Sequence, residues 1–142
     1  MTVNHVSDII KAFFEDFDRA NNTFDPNLLA SHLSDPILAA DPNGGTLALK
    51  KDDFLAGIAE RHAYLHALGF QGVKTVPLTE TPLGQHYTMV TTHGTMRLEK
   101  IPGQPLDLIH DSAYILFIND GSPKIVFTLS HEDPMKMMQE QG

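Results

Sequence analysis

Three places along the chain carry side chains that could do acid–base chemistry, and the first is Asp41. It opens a loop with the sequence Asp41-Pro42-Asn43-Gly44-Gly45. A carboxylate here could act as a general base if the fold excluded water from it and raised its pKa. The same residues are typical of a turn in which the aspartate accepts a backbone hydrogen bond. Both roles remain open for Asp41.

The second place is a pair of histidines, His62 and His66, in a segment with helical periodicity. Two histidines four residues apart have the spacing of metal ligands on a helix. The intervening glutamate of the zinc-protease motif and a clear third ligand are both missing, so we predict no metal site. His62 lies on the apolar side of the predicted helix. It is a candidate either for a core residue with a satisfied hydrogen bond or for an acid–base group in a pocket.

The third place is His110-Asp111, two neighbours in a predicted strand whose side chains must point to opposite faces. They cannot form a dyad. We expect Asp111 to share its face with Thr128 and Ser130 of the next strand, giving a polar cluster in an apolar pocket. The alternative places Asp111 in solvent at the open end of the sheet. The chain has no cysteine and no glycine-rich phosphate loop, so we predict no cofactor.

The elements that position these residues are predicted from periodicity. Three segments rich in β-branched and aromatic residues, separated by turns that contain proline or glycine, predict an antiparallel meander. The segments are Gln85–Lys100, Leu106–Asn119 and Lys124–Glu132. Shorter strands are expected at Ile37–Ala40 and Phe70–Leu78.

Upstream, apolar residues recur every three or four positions in segments that predict three helices. These helices run from Ser7 to about Asn21, from Asp25-Pro26 over a short segment, and from about Lys50 to Leu68. Their apolar side chains should face the sheet and line a pocket, together with the polar residues Thr128 and Ser130 of the last strand. The predicted lining residues are Phe13, Phe17, Leu33, Phe54, Ile58, Thr128 and Ser130.

One predicted strand contains an unbroken apolar run, Tyr114–Ile118. A strand with one wet face should alternate, so this run predicts that both faces are covered. The helices can cover one face. A second copy of the chain is the simplest cover for the other, which predicts a homodimer formed through the sheet.

Length and charge limit the remaining possibilities. The 142 residues fit a single domain spanning residues 1–142, and the formal net charge is −8. An acidic chain without a basic cluster is a poor partner for nucleic acid. The first residues lack the features of a secretion signal, and no apolar run approaches the roughly 20 residues of a membrane span. We therefore predict no membrane partner and a cytoplasmic location.

The order of these elements resembles that of the nuclear transport factor 2-like superfamily, which includes ketosteroid isomerases, SnoaL-like polyketide cyclases and scytalone dehydratase. The resemblance covers about Ser7 to Asp133. Its segments are Leu33–Pro42, Gly44-Gly45, the helix from Lys50, and Asn119 through Ile125. It implies an α+β fold, a cystatin-like cone in which three N-terminal helices pack in a curved, mostly antiparallel sheet. A ligand pocket and homodimers through the sheet are common in that family.

The resemblance also implies roles for particular residues. Ketosteroid isomerases use an aspartate followed by proline as general base, and Asp41 matches that motif. Their oxyanion donors fall near Phe17 and Ala113 here, and neither side chain can donate a hydrogen bond. The resemblance implies an isomerase, cyclase or dehydratase for a small apolar organic substrate, with Asp41 as base and His62 or Asp111 assisting. The alternative is a non-catalytic ligand-binding or dimeric interaction module.

Overall fold

The structure is a computed structural model that describes residues 6–130. Its helices are α1 (Asp8–Thr23), α2 (Pro26–Ala30), α3 (Lys51–Ala56) and α4 (Ile58–Ala67). Its strands are β1 (Leu33–Ala40), β2 (Thr46–Leu49), β3 (Phe70–Pro82), β4 (Tyr87–Ile101), β5 (Gln104–Asn119) and β6 (Ser122–Ser130). The predicted meander is confirmed as β4, β5 and β6. His131 and Glu132, the predicted end of its last strand, lie outside the described residues.

The six strands form one sheet in the order β2-β1-β6-β5-β4-β3. Every neighbouring pair is antiparallel except β1 with β6, which is parallel. The helices pack against this sheet, so the predicted α+β class with a mostly antiparallel sheet is confirmed. Among residues 6–130, no helix combines the length and the apolar character that crossing a membrane would require.

The main core forms where the apolar stripe of α1 meets the middle of the sheet. Ile10 and Phe14 have no exposed surface, and they pack with residues from β1, β4, β5 and β6. Burying a large apolar side chain stabilises a fold by about 1.5–3 kcal/mol. The strand residues of this cluster are Leu33, Ile37, Val90, Leu116 and Ile125. We call the side of the sheet that they occupy the helical face, and the opposite side the outer face.

The start of α1 is tied to the sheet rather than capped by its own serine. Serine is a common side-chain cap at the residue before a helix, but the hydroxyl of Ser7 makes no capping bond. The Ser7 hydroxyl and N–H instead donate to Glu80 Oε1 of β3, at 2.8 and 3.0 Å. The Glu80 carboxylate therefore lies at the positive end of the α1 dipole, where a negative charge is favourable. Asp25 does cap α2, by accepting from the N–H groups of Asn27 and Leu28.

The last turns of α1 are tied to the free edge of β3. The Asn22 amide donates to the Val73 carbonyl at 3.0 Å and accepts from the Val73 N–H at 2.7 Å. One turn earlier, Asp18 Oδ2 accepts from the Thr75 N–H at 2.7 Å. These bonds engage backbone N–H and C=O groups at the edge of the sheet, with which a strand of a second chain could otherwise pair. They also fix where Asp18 lies.

The helix predicted from Lys50 to Leu68 is two helices. The chain leaves α3 at Gly57, whose N–H donates to the Phe54 carbonyl at 3.2 Å, and enters α4 at the next residue. Glycine inside a helix is unfavourable because it loses more backbone entropy than other residues. Phe54 and Ile58 lie on either side of this break, and both belong to a second apolar cluster with Ala20 and Leu29.

Candidate functional site

A group of polar side chains lies on the helical face of β5, beside the aromatic residues of α1. Tyr114 contacts the rings of Phe14 and Phe17 on α1, with centroids 5.3 and 6.3 Å apart, so it faces the helices. Side chains two positions apart in a strand share a face. Ser112 and His110 therefore lie on this face as well.

Strand β6 adds hydroxyl groups to the same face. Thr128 lies directly opposite Tyr114, and Ser130 lies opposite Ser112. Directly opposed residues of an antiparallel pair point to the same side. The structure thus brings Thr128 and Ser130 together with a tyrosine and a serine.

Asp18 approaches this group from α1. Its Oδ1 atom is buried and has no hydrogen-bond partner among residues 6–130, while Oδ2 accepts from Thr75. Burial raises the pKa of the Asp18 carboxyl above its ordinary value of 3.8, and it outweighs the opposing bonds from Thr75. The positive charges of Lys74 and His110 also lower that pKa by smaller amounts. A buried carboxylate with one unused oxygen can accept a proton or a hydrogen bond from a ligand.

Tyr114 is a hydrogen-bond donor over the whole physiological pH range. Burial raises the pKa of its phenol to about 12, and the negative charge of Asp18 acts in the same direction. The positive charge of Arg61 and a hydrogen bond with Ser112 oppose the rise. The hydroxyl of Tyr114 therefore lies within the electrostatic reach of both a carboxylate and a guanidinium.

Arg61 projects from α4. Its side chain is exposed to solvent, yet burial by the surrounding protein lowers the pKa of its guanidinium. Nη1 of Arg61 lies 3.4 Å from Oδ1 of Asn21, a neutral partner. Within residues 6–130, no carboxylate lies within ion-pair distance of Arg61.

His110 occupies space that a glycine leaves open. It lies opposite Gly94 of β4, and a Cβ atom at Gly94 would be 2.4 Å from Nε2 of the imidazole. Glycine is therefore required at this position for the imidazole to lie across β4. His110 is near enough to Asp18 for its charge to affect the carboxyl pKa.

Asp41, the predicted base, lies in an exposed turn between β1 and β2. Its Oδ1 accepts from the N–H groups of Asn43 and Gly45, at 2.8 and 3.0 Å. This is the turn role that the sequence leaves open, and the carboxylate is exposed to solvent. The catalytic role of Asp41 stays a prediction that this geometry does not favour.

His62 lies on an exposed side of α4, although the periodicity predicts an apolar side. Its ring stacks on Phe24 with centroids 4.1 Å apart, and the ring of His66 is 6.5 Å away. Within residues 6–130, no group of three His, Cys, Asp or Glu side chains could hold a metal ion. His62 and Asp41 are therefore not brought together by any contact of this structure.

Asp111 lies on the outer face, and its predicted grouping with Thr128 and Ser130 is wrong. It is directly opposite His93, and Oδ1 of Asp111 lies 2.9 Å from Nδ1 of that histidine. An uninterrupted pairing of β5 with β6 would put Asp111 on the face of Thr128 and Ser130, but the register shifts by one residue between Ile115 and Leu116. A count that is wrong by one residue moves every side chain of a strand to the opposite face.

The predicted apolar lining residues all lie on the helical side. Phe13, Leu33 and Ile58 are buried in the core, and Phe17 and Phe54 are partly buried against it. Their packing beside Tyr114 gives the polar group apolar surroundings. Whether they line a ligand pocket stays a prediction.

Three residues of this site were not predicted, although the sequence contains signals for two of them. Asp18 is four residues after Phe14 and eight after Ile10, which places an acid on the apolar stripe of α1. Arg61 lies between Ile58 and Leu65 at the same helical spacing on α4. A charged residue within an apolar stripe is unusual, and it is an indication of function. Tyr114 lies in the apolar run and carries no such signal.

Comparison with known proteins shows the fold. No family model matches the chain, and no curated protein matches it. A solved NTF-2-like protein of unknown function from Shewanella oneidensis is similar, with a TM-score of 0.67 and 16% identity over 87% of this chain and 96% of that one. A protein described as a SnoaL-like polyketide cyclase from Shewanella denitrificans has a TM-score of 0.59 and 11% identity, covering 95% of this chain and 98% of that one.

A third solved structure has a ketosteroid isomerase-like fold and is in complex with trimethylamine. This protein of Catenulispora acidiphila has a TM-score of 0.55 and 13% identity, covering 92% of this chain and 88% of that one. The fold of the present chain is therefore the cystatin-like fold of NTF2-like, SnoaL-like and ketosteroid isomerase-like proteins. The fold implied by the sequence resemblance is confirmed, and identities this low show the fold alone.

Proposed function

We propose that this chain is a small-molecule pocket protein of the polyketide-cyclase and ketosteroid-isomerase-like type, and that it catalyses acid–base chemistry on an organic substrate. One observation carries the proposal: the Asp18 carboxyl has a buried oxygen without a hydrogen-bond partner among residues 6–130, and its charge acts on the phenol of Tyr114. A base of raised pKa beside a neutral donor is the pair that proton abstraction next to a carbonyl requires.

The residues divide the chemistry between them. Asp18 takes a proton from the carbon next to a carbonyl group, and the C–H bonding electrons move to the carbonyl oxygen, which becomes an enolate. Tyr114 donates a hydrogen bond to that oxygen and stabilises its negative charge. Asp18 then returns the proton at the same or another carbon, which regenerates the carboxylate. Phe14 and Phe17 keep bulk water from the phenol.

An isotope-exchange experiment tests this assignment. In deuterated water, the protein should accelerate exchange of the benzylic protons of phenylacetone, followed by NMR. Replacing Asp18 with asparagine should reduce that rate by about 100-fold or more, because the base is lost. The rate should rise with pH through the raised pKa of Asp18, because only the ionised carboxylate accepts a proton.

Asp41→Asn is the matched control, since asparagine keeps the side-chain acceptor of the turn. It should leave the exchange rate unchanged. Loss of exchange in Asp41→Asn, with Asp18→Asn active, would restore the base predicted from the sequence. Absence of exchange with the unmodified protein would favour the alternative, a non-catalytic binding module.

The assembly proposed for this protein is a homodimer through the outer face. Apolar side chains on this face run from β1 across β6 to β5 and β4, and many are only partly buried. They are Leu38, Phe127, Leu129, Ala113, Ile115, Phe117, Tyr87 and Met89. A contiguous exposed apolar area of this kind is typical of an interaction surface.

The cytoplasmic location stays a prediction.

Leu129→Lys tests the homodimer. A lysine at the centre of the outer face should shift the protein to the monomer mass in analytical ultracentrifugation, because a charge would enter a dry contact. Leu47→Lys is the control: Leu47 is 59% exposed on β2, opposite Ala39 and away from the outer face, and it should leave the mass unchanged. A monomer mass for the unmodified protein at micromolar concentration would rule out the homodimer.

A further inference from the structure

Arg61 differs from the other two arginines of the chain in what its guanidinium contacts. Arg19 pairs with Asp16 at 3.0 Å, and Arg97 pairs with Asp107 at 2.8 Å. Among residues 6–130, the only hydrogen-bond partner of Arg61 is the neutral amide oxygen of Asn21, at 3.4 Å. The chain carries a net charge of −8, so the lack of an acidic partner within these residues is not explained by a shortage of carboxylates.

The contacts of Arg61 place its guanidinium beside the last turns of α1, although the residue is accessible to solvent. Its partner Asn21 donates to the carbonyl of Phe17 at 3.1 Å, and Asp18 is the next residue along the helix. The ring of Phe17 lies 6.3 Å from that of Tyr114, and the charges of Asp18 and Arg61 both affect the pKa of its phenol. The three functional groups therefore lie around the same part of α1, on the helical face.

Each group can bind a different part of one ligand. A planar guanidinium binds carboxylates through two parallel hydrogen bonds. A neutral phenol donates to a carbonyl oxygen, and a carboxylate base faces the C–H bond to be broken. The partly buried ring of Phe17, beside Tyr114, provides apolar contact for the rest of the ligand.

We propose that the substrate of this site is the anion of a keto acid, whose carboxylate pairs with Arg61 while its carbonyl oxygen accepts a hydrogen bond from Tyr114. The assignment rests on the proposed function and adds the substrate class to it. It explains why Arg61 has no acidic partner within the described chain, because the partner is the substrate.

Two probes that differ in one group test the proposal by calorimetry. Phenylpyruvate and phenylacetone share a benzyl ketone, and only phenylpyruvate carries a carboxylate. We expect phenylpyruvate to bind about 10-fold more tightly or better, the usual advantage of a charge-assisted pair. Arg61→Gln should remove this preference. Arg19→Gln, which removes an arginine already paired with Asp16, should retain it.

The proposal is overturned if the two probes bind equally, if neither binds, or if the preference survives in Arg61→Gln. Arg61 is exposed, and circular dichroism should show that the variant folds. Binding is measured without turnover, so the outcome is independent of catalysis. Arginine-dependent binding without proton exchange would contradict only the proposed enzyme, and exchange of phenylacetone without a carboxylate preference would contradict only the substrate class.

Discussion

Phe14→Ala is expected to lower the free energy of unfolding by about 3–5 kcal/mol, the usual cost of truncating a fully buried phenylalanine. The Phe14 side chain has no exposed surface, and its ring lies 5.1 Å from that of Phe13 and 5.3 Å from that of Tyr114. The neighbours of Phe14 are fixed in α1 and in the sheet, so they cannot easily move to fill the cavity that alanine would leave. Because domains of this size are typically stable by about 5–15 kcal/mol, the loss is a large fraction of the total.

Ile9→Ala on the same helix is the control for Phe14. Ile9 is 37% exposed, and its truncation should cost less than about 1 kcal/mol. Urea denaturation of both variants measures the difference. Equal losses would mean that α1 does not bury the face seen in the structure, and Asp18 would then be misplaced too.

The second large effect concerns Gly69, between α4 and β3. Its φ angle is +76°, and a Cβ atom there would lie 2.2 Å from the carbonyl oxygen of Glu99. The Glu99 N–H donates to the Gly69 carbonyl at 2.7 Å, so the two backbones cannot separate without losing that bond. Gly69→Ala should therefore cost about 2–4 kcal/mol, which combines backbone strain with overpacking.

Gly57→Ala should have the opposite sign. Its φ angle is −87°, which any residue adopts, and the nearest atom to a new Cβ is the Phe54 carbonyl oxygen at 3.6 Å. Alanine should stabilise this junction by about 0.5–1 kcal/mol because the unfolded chain loses freedom. Thermal unfolding of the two variants is the measurement. A stable Gly69→Ala would contradict the close approach of the two segments.

The elements of the fold are predictable because their signals are local. The stripe of Ile10, Phe13 and Phe14 specifies α1, and the turns at Ile101–Pro105 and Asn119–Pro123 separate β4, β5 and β6. Each signal lies within a few residues, and the structure confirms it. The prediction of one long helix from Lys50 to Leu68 is wrong at Gly57. A single glycine is also tolerated inside helices, so the sequence does not show that this one separates α3 from α4.

The faces of the strands are not predictable in this way, because they depend on register. The pairing of β5 with β6 shifts between Ile115 and Leu116, where Val126 has no direct partner. Asp111 was placed correctly relative to Ala113, but both lie on the face opposite to the predicted one. His110, Ser112 and Tyr114 therefore fall on the outer face in that prediction, whereas the structure places them on the helical face with Thr128 and Ser130. A long-range register of this kind follows from packing, and a single sequence does not contain it.

The most direct test of the central claim, that the helical face around Tyr114 binds the ligand, is an NMR titration of the three tyrosines. With isotopically labelled tyrosine, phenylpyruvate should shift the ring signal of Tyr114 saturably. Tyr87 is the internal control, since its ring packs on Phe117 at the outer face, 5.2 Å away, and its signal should not move. A shift of Tyr87 with Tyr114 unchanged would contradict the account and place the ligand on the opposite side of the sheet.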